Sequence, residues 1–158
     1  MSESACNDMS VSVAAIKASP LGEELSDAQC ETLAGVMTAC AIRDQAFLIE
    51  EGQKDDTLHI LTKGNMEVVS HTGGGDYVGL QVLRGGDMLG ELGFLDGVEH
   101  SAGLRAMGNC ELIRLDRASF EGLLEKDPDL VYKVMRSIVR TVHRILRNMN
   151  FQQVELTN

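Results

Sequence analysis

The sequence predicts a mainly β domain, a closed sandwich or barrel, with helices before and after it. Short apolar runs rich in Val, Ile and Leu follow one another between residues 46 and 115, and turns containing glycine separate them. The spacing leaves no room for the crossover helices that a parallel sheet needs. Apolar residues return to helical spacing on both sides of this region. A compact β core flanked by helices is therefore expected.

The overall composition argues against nucleic acid and membrane as binding partners. The 158 residues suit one domain, and the net charge of −10 is the reverse of the basic surface that grips nucleic acid phosphates. No apolar run approaches the roughly 20 residues that span a bilayer, and the polar, acidic N-terminus lacks the features of a signal peptide. These features predict a cytoplasmic protein without a membrane partner. Its four scattered cysteines are interpreted as reduced thiols, with Cys30 and Cys40 on one helix.

The N-terminal part is expected to be helical. Residues 1–9 are interpreted as a disordered leader and residues 10–158 as the domain, which starts with a short helix before Pro20. Ser26 is a good N-cap for a second helix. Three apolar residues recur in this helix at helical spacing, namely Leu33, Val36 and Met37.

The β core is expected over about residues 44–116. Its six runs are Ala46–Glu50, Thr57–Leu61, Asn65–Ser70, Asp76–Leu83, Ser101–Ala106 and Cys110–Leu115. Asp116 then provides a cap for a helix that carries Phe120, Leu123 and Leu124.

A long helix is expected over about residues 129–151. One apolar set recurs at alternating spacings of four and three, which is an a/d seam typical of a helix with a partner, and predicts a homodimer: Val131, Met135, Ile138, Val142, Ile145 and Met149. A second set is expected to pack on the β core, namely Val134, Val139 and Leu146. The alternative is a monomer in which the helix buries one broad face. Arginines on another face are typical of a solvated surface, and a nucleic-acid role for them is a minor alternative: Arg136, Arg140, Arg144 and Arg147.

Residues 85–106 hold six of the sixteen glycines and no proline. They predict two tight turns around a short helical piece that begins near Gly90. The first turn of such a piece leaves backbone N–H groups unpaired, which makes an anion site where glycine lets a ligand approach closely. Glu91, His100 and Ser101 are expected to surround this site.

Several motifs occur in order along the chain: Ile49-Glu50-Glu51-Gly52, Gly64-Asn65-Met66-Glu67-Val68, Gly85-Gly86-Asp87-Met88-Leu89-Gly90-Glu91-Leu92, and Glu99-His100-Ser101-Ala102-Gly103-Leu104-Arg105-Ala106. This set resembles the cyclic-nucleotide-binding domain family, and most closely the effector domain of catabolite activator (cyclic-AMP receptor) regulators, over about residues 19–150. The resemblance implies a double-stranded β-helix, a jelly-roll β-roll, with N-terminal helices. It also implies a long C-terminal helix that covers the ligand and forms the dimer.

The resemblance assigns a cyclic-nucleotide site to eight residues: Leu89, Gly90, Glu91, Leu92, Gly93, His100, Ser101 and Ala102. Backbone N–H groups from Gly90 to Gly93 would hold the cyclic phosphate, with Ser101 and the Ala102 N–H touching it. Glu91 would accept a hydrogen bond from the ribose 2′-hydroxyl; the alternative is an acid placed for the helix dipole. Cyclic AMP or cyclic GMP is the implied ligand, and no covalent cofactor is expected.

His100 stands where the family motif carries a phosphate-binding arginine. Arginine is always charged and binds phosphate through two N–H groups, whereas a free imidazole is mostly neutral at pH 7. Two interpretations follow: a stand-alone sensor that signals through its C-terminal helix, or a degenerate dimerising scaffold module that binds no nucleotide. Gly103 is expected to loosen the base side of the pocket, Arg105 to face outward, and Thr141 or Asn148 to read the base.

Catalysis is not expected. The histidines His59, His71, His100 and His143 are isolated, and no acid–histidine cluster has metal-ligand spacing, so neither catalytic residues nor a metal site are predicted. The sequence ends soon after the long helix, so no helix-turn-helix and no direct DNA binding are expected. The sequence does not indicate the downstream partner.

Overall fold

The computed structural model describes the backbone of residues 9–157 and the side chains of residues 9–148. The predicted leader therefore lies outside the described residues except for Met9, which is in a short strand. The elements in chain order are β1 (Met9–Ser10), α1 (Val13–Ala18), a 3₁₀ turn (Pro20–Gly22), α2 (Asp27–Ala34), β2 (Thr38–Ile42), β3 (Phe47–Ile49), β4 (Thr57–His71), β5 (Tyr77–Arg84), β6 (Met88–Leu89), α3 (Glu91–Asp96), β7 (Gly103–Asp116), α4 (Arg117–Glu121) and α5 (Pro128–Thr157).

All strand pairs are antiparallel. The strands follow the order β1-β2-β7-β4-β5, with β3 paired to β7 and β6 paired to β4. The two longest strands, β4 and β7, pair from Thr57↔Asp116 to Val69↔Gly103. The predicted β core with flanking helices is confirmed.

Two of the expected turns are bends within long strands. Gly64 has φ = 92°, and a Cβ atom there would lie 2.7 Å from the carbonyl oxygen of Asn109 on β7. The register of β4 against β7 shifts on both sides of Lys63, but the pairing continues. The pairs of runs predicted on either side of Gly64 and of Asn109 are therefore single strands, β4 and β7, that bend together.

The second helix is shorter than expected. Ser26 caps α2 through the Gln29 N–H at 3.2 Å, as predicted, but α2 ends at Ala34. Cys40 lies on β2 beside β7 and not on a helix with Cys30, because pairing with β7 overrides the helical spacing. Cys30 and Cys110 are free thiols. Cys40 is disulfide-bonded, so the prediction of reduced thiols is wrong there.

Two apolar clusters form the core. One lies inside the β-roll and includes Leu61, Met66, Leu104 and Leu112. The other joins the N-terminal helices, the start of β4, α3, α4 and α5, and includes Ile16, Leu33, Phe94, Phe120 and Ile138. α3 and α5 therefore pack into one shared cluster.

Polar contacts fix the first half of α5 on the N-terminal helices. The Ser137 hydroxyl donates to the carbonyl oxygen of Pro20 at 2.8 Å. Arg136 and Arg140 contact Glu24 Oε1 at 3.6 and 2.6 Å. Half of the predicted arginine face is thus paired with an acid of the same chain. Among the described residues, no helix is both long enough and apolar enough to span a bilayer.

The direction of the apolar stripes of α5 differs from the prediction. Val131, Val134 and Ile138 are at most 7% exposed and belong to the chain's own core. Val131 and Ile138 therefore do not face a partner helix, and that part of the predicted seam is wrong. Val139 and Leu146 were expected on the β core but are 59% and 53% exposed.

The other seam residues divide between two environments. Met135 and Val142 are partly buried against the same core, whereas Ile145 is 41% exposed. The Met149 side chain lies outside the described residues. The two apolar stripes of α5 are neighbours on one helix, so the 4-3 spacing alone does not show which of them the chain itself covers.

Candidate functional site

A cleft of about 270 Å³ lies between α3, β5, the segment before β7 and α5. All eight residues predicted to bind a nucleotide line it: Leu89, Gly90, Glu91, Leu92, Gly93, His100, Ser101 and Ala102. α5 contributes Ile145, which was predicted as a dimer residue. The structure thus brings both halves of residues 85–106 and the C-terminal helix to one place.

The start of α3 presents unpaired backbone N–H groups. Gly90 has φ = 76° and ψ = 21°, and a Cβ atom there would lie 3.0 Å from the carbonyl oxygen of Thr57. The positive φ favours glycine, and a Cβ atom would also crowd the Thr57 carbonyl. The first helical hydrogen bond runs from the Phe94 N–H to the Gly90 carbonyl at 3.0 Å. The N–H groups of residues 91–93 precede that bond and are the usual anion donors of a helix start.

α3 is held firmly at its other end. The Phe94 ring is 1% exposed and lies 5.2 Å from the Phe120 ring, centroid to centroid. Arg117 donates from Nε to the Phe94 carbonyl oxygen at 2.9 Å and from Nη2 to the Leu95 carbonyl oxygen. These contacts satisfy carbonyl groups in the last turn of a short helix.

The imidazole of His100 is turned beneath α3. Its Nε2 atom lies 3.0 Å from Asp55 Oδ1, at the distance of an ion pair but without hydrogen-bond alignment. The His100 side chain is only 11% exposed, and Nε2 is shielded from solvent. A Cβ atom on Gly93 would lie 3.3 Å from His100 Cε1 and 2.9 Å from the Asp55 carbonyl oxygen, so glycine lets α3 rest on this pair.

A second histidine lies next to this pair. His59 is 4% exposed, and its Nδ1 atom has no hydrogen-bond partner. Burial lowers the pKa of His59 to about 4; the Asp55 carboxylate opposes this effect, whereas Arg114 and His100 add to it. His59 is therefore neutral at pH 7 and offers no positive charge beneath the cleft.

The described lining of the cleft contains carboxylates and no Lys or Arg. Glu91 and Glu99 are its acids, and the Glu99 carboxylate meets Lys54 only at 3.9 Å in an exposed pair. The opposite wall is apolar and includes Val68, Leu83, Met88, Leu104 and Ile145. The arrangement offers backbone donors, acceptors and an apolar wall, but no free cation from the described residues.

Other sequence expectations have separate outcomes. Arg105 does not line the cleft: it pairs with Glu67 at 3.1 Å on the far side of the sheet. Gly103 also faces away, because a Cβ atom there would meet Ile49, Phe47 and Val69 at 3.3 Å, so it does not loosen the cleft.

Neither polar candidate on α5 lines the cleft. The Thr141 hydroxyl donates to the Ser137 carbonyl of its own helix at 3.0 Å, and Asn148 lies in a surface groove with Arg144 and Arg147. The predicted base-reading side chains are therefore wrong. Ile145 is the described residue that α5 brings to the cleft.

The profile of the cyclic nucleotide-binding domain family matches residues 40–127, more than half of the chain. The chain belongs to the cyclic nucleotide-binding domain family. It is 32% identical over 113 residues to the cAMP-activated global transcriptional regulator CRP of Salmonella typhimurium. This alignment covers 69% of this chain and 54% of that protein. The chain thus spans about half the length of the CRP relatives that it matches.

Solved structures of this family share the fold. A cyclic nucleotide-binding domain from Methylobacillus flagellatus superposes with a TM-score of 0.84 at 17% identity, over 98% of this chain and 90% of that one. The Thermus thermophilus catabolite activator protein superposes with a TM-score of 0.72 at 22% identity, over 88% of this chain and 63% of that one. The regulatory domain of Toxoplasma gondii PKA, crystallised with cAMP, superposes with a TM-score of 0.59 at 24% identity, over 70% of this chain and 42% of that one. The predicted jelly-roll β-roll is confirmed.

Three residues of this family member's site were missed from sequence. Asp55, His59 and Arg117 lie outside residues 85–106 and reach that segment only through the fold. Strand pairing is what brings these residues to the site. β6 pairs with the start of β4, with His59 opposite Leu89, and this pairing places residues 55–59 beneath α3. That register cannot be read from local spacing.

Proposed function

We propose that the chain is a regulatory module that binds a cyclic nucleotide in the cleft and signals through α5, without enzymatic activity. The observation that carries this proposal is that Ile145 of α5 lines the same cleft as residues 89–93 and 100–102. A ligand held by α3 would therefore contact α5. The proposal treats residues 10–158 as one regulatory domain acting in the cytoplasm, and includes no direct DNA binding.

The phosphate would lie at the start of α3. Its donors would be the N–H groups of residues 91–93, the Ser101 hydroxyl and the Ala102 N–H. Glu91 would accept a hydrogen bond from the ribose 2′-hydroxyl, as acids do in other nucleotide sites. The base would lie against Ile145 and the apolar wall, where no described side chain from α5 distinguishes adenine from guanine. Cyclic AMP and cyclic GMP are thus both candidate ligands.

Signalling would pass from α3 to α5 through the shared core. Phe94 packs on Phe120, and both belong to the cluster that contains Val134 and Ile138 of α5. Because a close-packed core transmits small shifts, a movement of α3 on ligand contact would bias the position of α5.

The dimer of the proposal uses the outward face of α5. The outer stripe is defined as Tyr132, Met135, Val139, Val142 and Leu146, spaced three, four, three and four residues apart. Tyr132, Val139 and Leu146 are 60%, 59% and 53% exposed. A stripe of this kind suits a homodimer with parallel α5 helices. It replaces the predicted seam, two of whose residues are buried in the chain's own core.

A second candidate function is the degenerate module, which dimerises but binds no nucleotide. The charges of the cleft favour it: His100 contacts Asp55, and the described lining has two glutamates without an arginine or lysine. Loss of one partner from a buried charge pair, such as the motif arginine opposite a phosphate, typically costs about 2–5 kcal/mol of binding free energy. This corresponds to a tens- to thousands-fold loss of affinity. Weak binding is therefore expected even if the first proposal holds.

Calorimetric titration with cyclic AMP and cyclic GMP separates the two functions. The sensor predicts measurable heat in the unmodified protein, at least tenfold tighter binding in His100→Arg, and weaker binding in Glu91→Ala. The matched control is Glu121→Ala on α4, an exposed acid outside the cleft, which should bind as the unmodified protein does. No heat in the unmodified protein, with binding appearing only in His100→Arg, would support the degenerate module.

A further inference from the structure

A carboxylate lies next to the cleft, in contact with the histidine at the position of the motif arginine. Asp55 lies in the segment before β4, and its Oδ1 atom is 3.0 Å from His100 Nε2. The two side chains are 24% and 11% exposed, so the contact is largely withdrawn from water and is screened less than a surface pair.

We propose that Asp55 is an affinity-determining residue that holds the imidazole of His100 beneath α3 and thereby keeps the cleft without a cation. Asp55 acts through His100 and is a positioning residue. The part of this inference that concerns nucleotide affinity rests on the proposed function.

The surroundings leave His100 Nε2 no second partner among the described residues. Nε2 is shielded from solvent and has no aligned hydrogen bond. Gly90 and Gly93 cover the ring, with Cε1 3.7 and 3.3 Å from the Cβ positions that these residues lack. The buried His59 lies on the same side, with Nδ1 3.8 Å from the Gly90 Cβ position. Asp55 is thus the ion-pair partner of the His100 imidazole in the described part of the chain, and the neighbouring His59, which is neutral, offers no such attraction.

The charged side chains that line the cleft are acids, and neither of them forms a described ion pair with His100. Glu91 and Glu99 line it, and Glu99 is shared with Lys54 at 3.9 Å. A bound phosphate would compete with the Asp55 carboxylate for the same imidazole. A nucleotide whose phosphate also engages His100 would have to break the His100–Asp55 contact, which lowers the measured affinity. Removal of the Asp55 charge should release His100 and raise that affinity.

The first test measures the release of His100 without any nucleotide. Diethyl pyrocarbonate modifies accessible imidazoles, and peptide mass spectrometry gives the rate for each histidine. In Asp55→Asn at pH 7, His100 should react about tenfold faster than in the unmodified protein, whereas the exposed His71 and His143 should keep their rates. The matched control is Asp56→Asn, which removes the same charge from the adjacent, exposed residue and should leave the His100 rate unchanged.

The second test measures affinity for cyclic AMP by calorimetry. Asp55→Asn should bind at least fivefold more tightly than the unmodified protein, and this gain should disappear in Asp55→Asn/His100→Ala. Circular dichroism melting of each variant reports the fold, and Asp55→Ser serves as a second variant if Asp55→Asn does not fold.

The outcomes separate the two proposals. An unchanged His100 labelling rate in Asp55→Asn overturns the inference. So does a faster rate accompanied by unchanged or weaker cyclic AMP binding, or an affinity gain that persists without His100. If labelling accelerates but no variant binds cyclic AMP or cyclic GMP, including His100→Arg, the positioning of His100 by Asp55 stands and the proposed nucleotide function fails.

Discussion

Arg117 donates from Nε to the carbonyl oxygen of Phe94 at 2.9 Å, so the first residue of α4 holds the last turn of α3. The same guanidinium group also donates to the Leu95 carbonyl. In return, the Arg117 backbone N–H donates to the Asp56 carbonyl at 3.0 Å. One residue therefore joins α3, α4 and the segment that carries Asp55.

Substitution of Arg117 should loosen α3. We expect Arg117→Met to lower the free energy of unfolding by about 2 kcal/mol, because hydrogen bonds from charged groups contribute about 1.5–3 kcal/mol each before partial exposure is discounted. Urea denaturation followed by circular dichroism measures this change. The control is Arg84→Met on the exposed strand β5, which should stay within about 0.5 kcal/mol of the unmodified protein. Equal losses in the two variants would contradict an anchoring role.

Two adjacent residues of α5 should respond in opposite ways. Ile138 is 0% exposed within the chain's own core, and Val139 is 59% exposed on the outer stripe. Ile138→Ala should lower the free energy of unfolding by about 2–5 kcal/mol, as is usual for such truncations. Val139→Glu should instead break the dimer, because it places like charges opposite each other in an apolar seam.

Sedimentation velocity at tens of micromolar measures the second effect. The unmodified protein should sediment as a dimer, Val139→Glu as a monomer, and Glu121→Gln on α4 as a dimer. A monomeric unmodified protein, or a dimer that survives Val139→Glu, would remove the outer stripe from the proposal.

The buried His59 should make the fold sensitive to acid. Its pKa is lowered to about 4, whereas a free imidazole has a pKa of about 6.5. Between these values the unfolded chain binds a proton that the folded chain does not, so stability is complete above pH 6.5 and is lost as the pH falls towards 4. From pH 7.0 to pH 5.5 this linkage amounts to about 1 kcal/mol.

Urea denaturation at pH 7.0 and pH 5.5 tests this linkage. His59→Gln should lose less stability than the unmodified protein between the two pH values, by about 1 kcal/mol. His143→Gln carries the same substitution at an exposed position of α5 and serves as the control. The same loss in His59→Gln and in the unmodified protein would contradict the assignment of the acid sensitivity to His59.

Local features of the chain were readable from sequence. The eight cleft residues fall in two short segments, 89–93 and 100–102. Each segment is recognised from residues that are adjacent in sequence, namely its glycines, its acid or its hydroxyl. The Ser26 cap and the Asp116 cap are equally local and occur as predicted. Strand periodicity located the β core, although Gly64 was interpreted as a turn and is a bend, because strand pairing continues across it.

What the sequence by itself determined is therefore the fold family and the identity of the residues at the cleft, since both depend on contiguous patterns. Only the tertiary structure decided where His100 points and which stripe of α5 is free. Asp55 meets His100 because β6 pairs with the start of β4, and Ile138 rather than Val139 is buried because the N-terminal helices cover one side of α5. Such long-range packing chooses between faces that local spacing leaves equivalent.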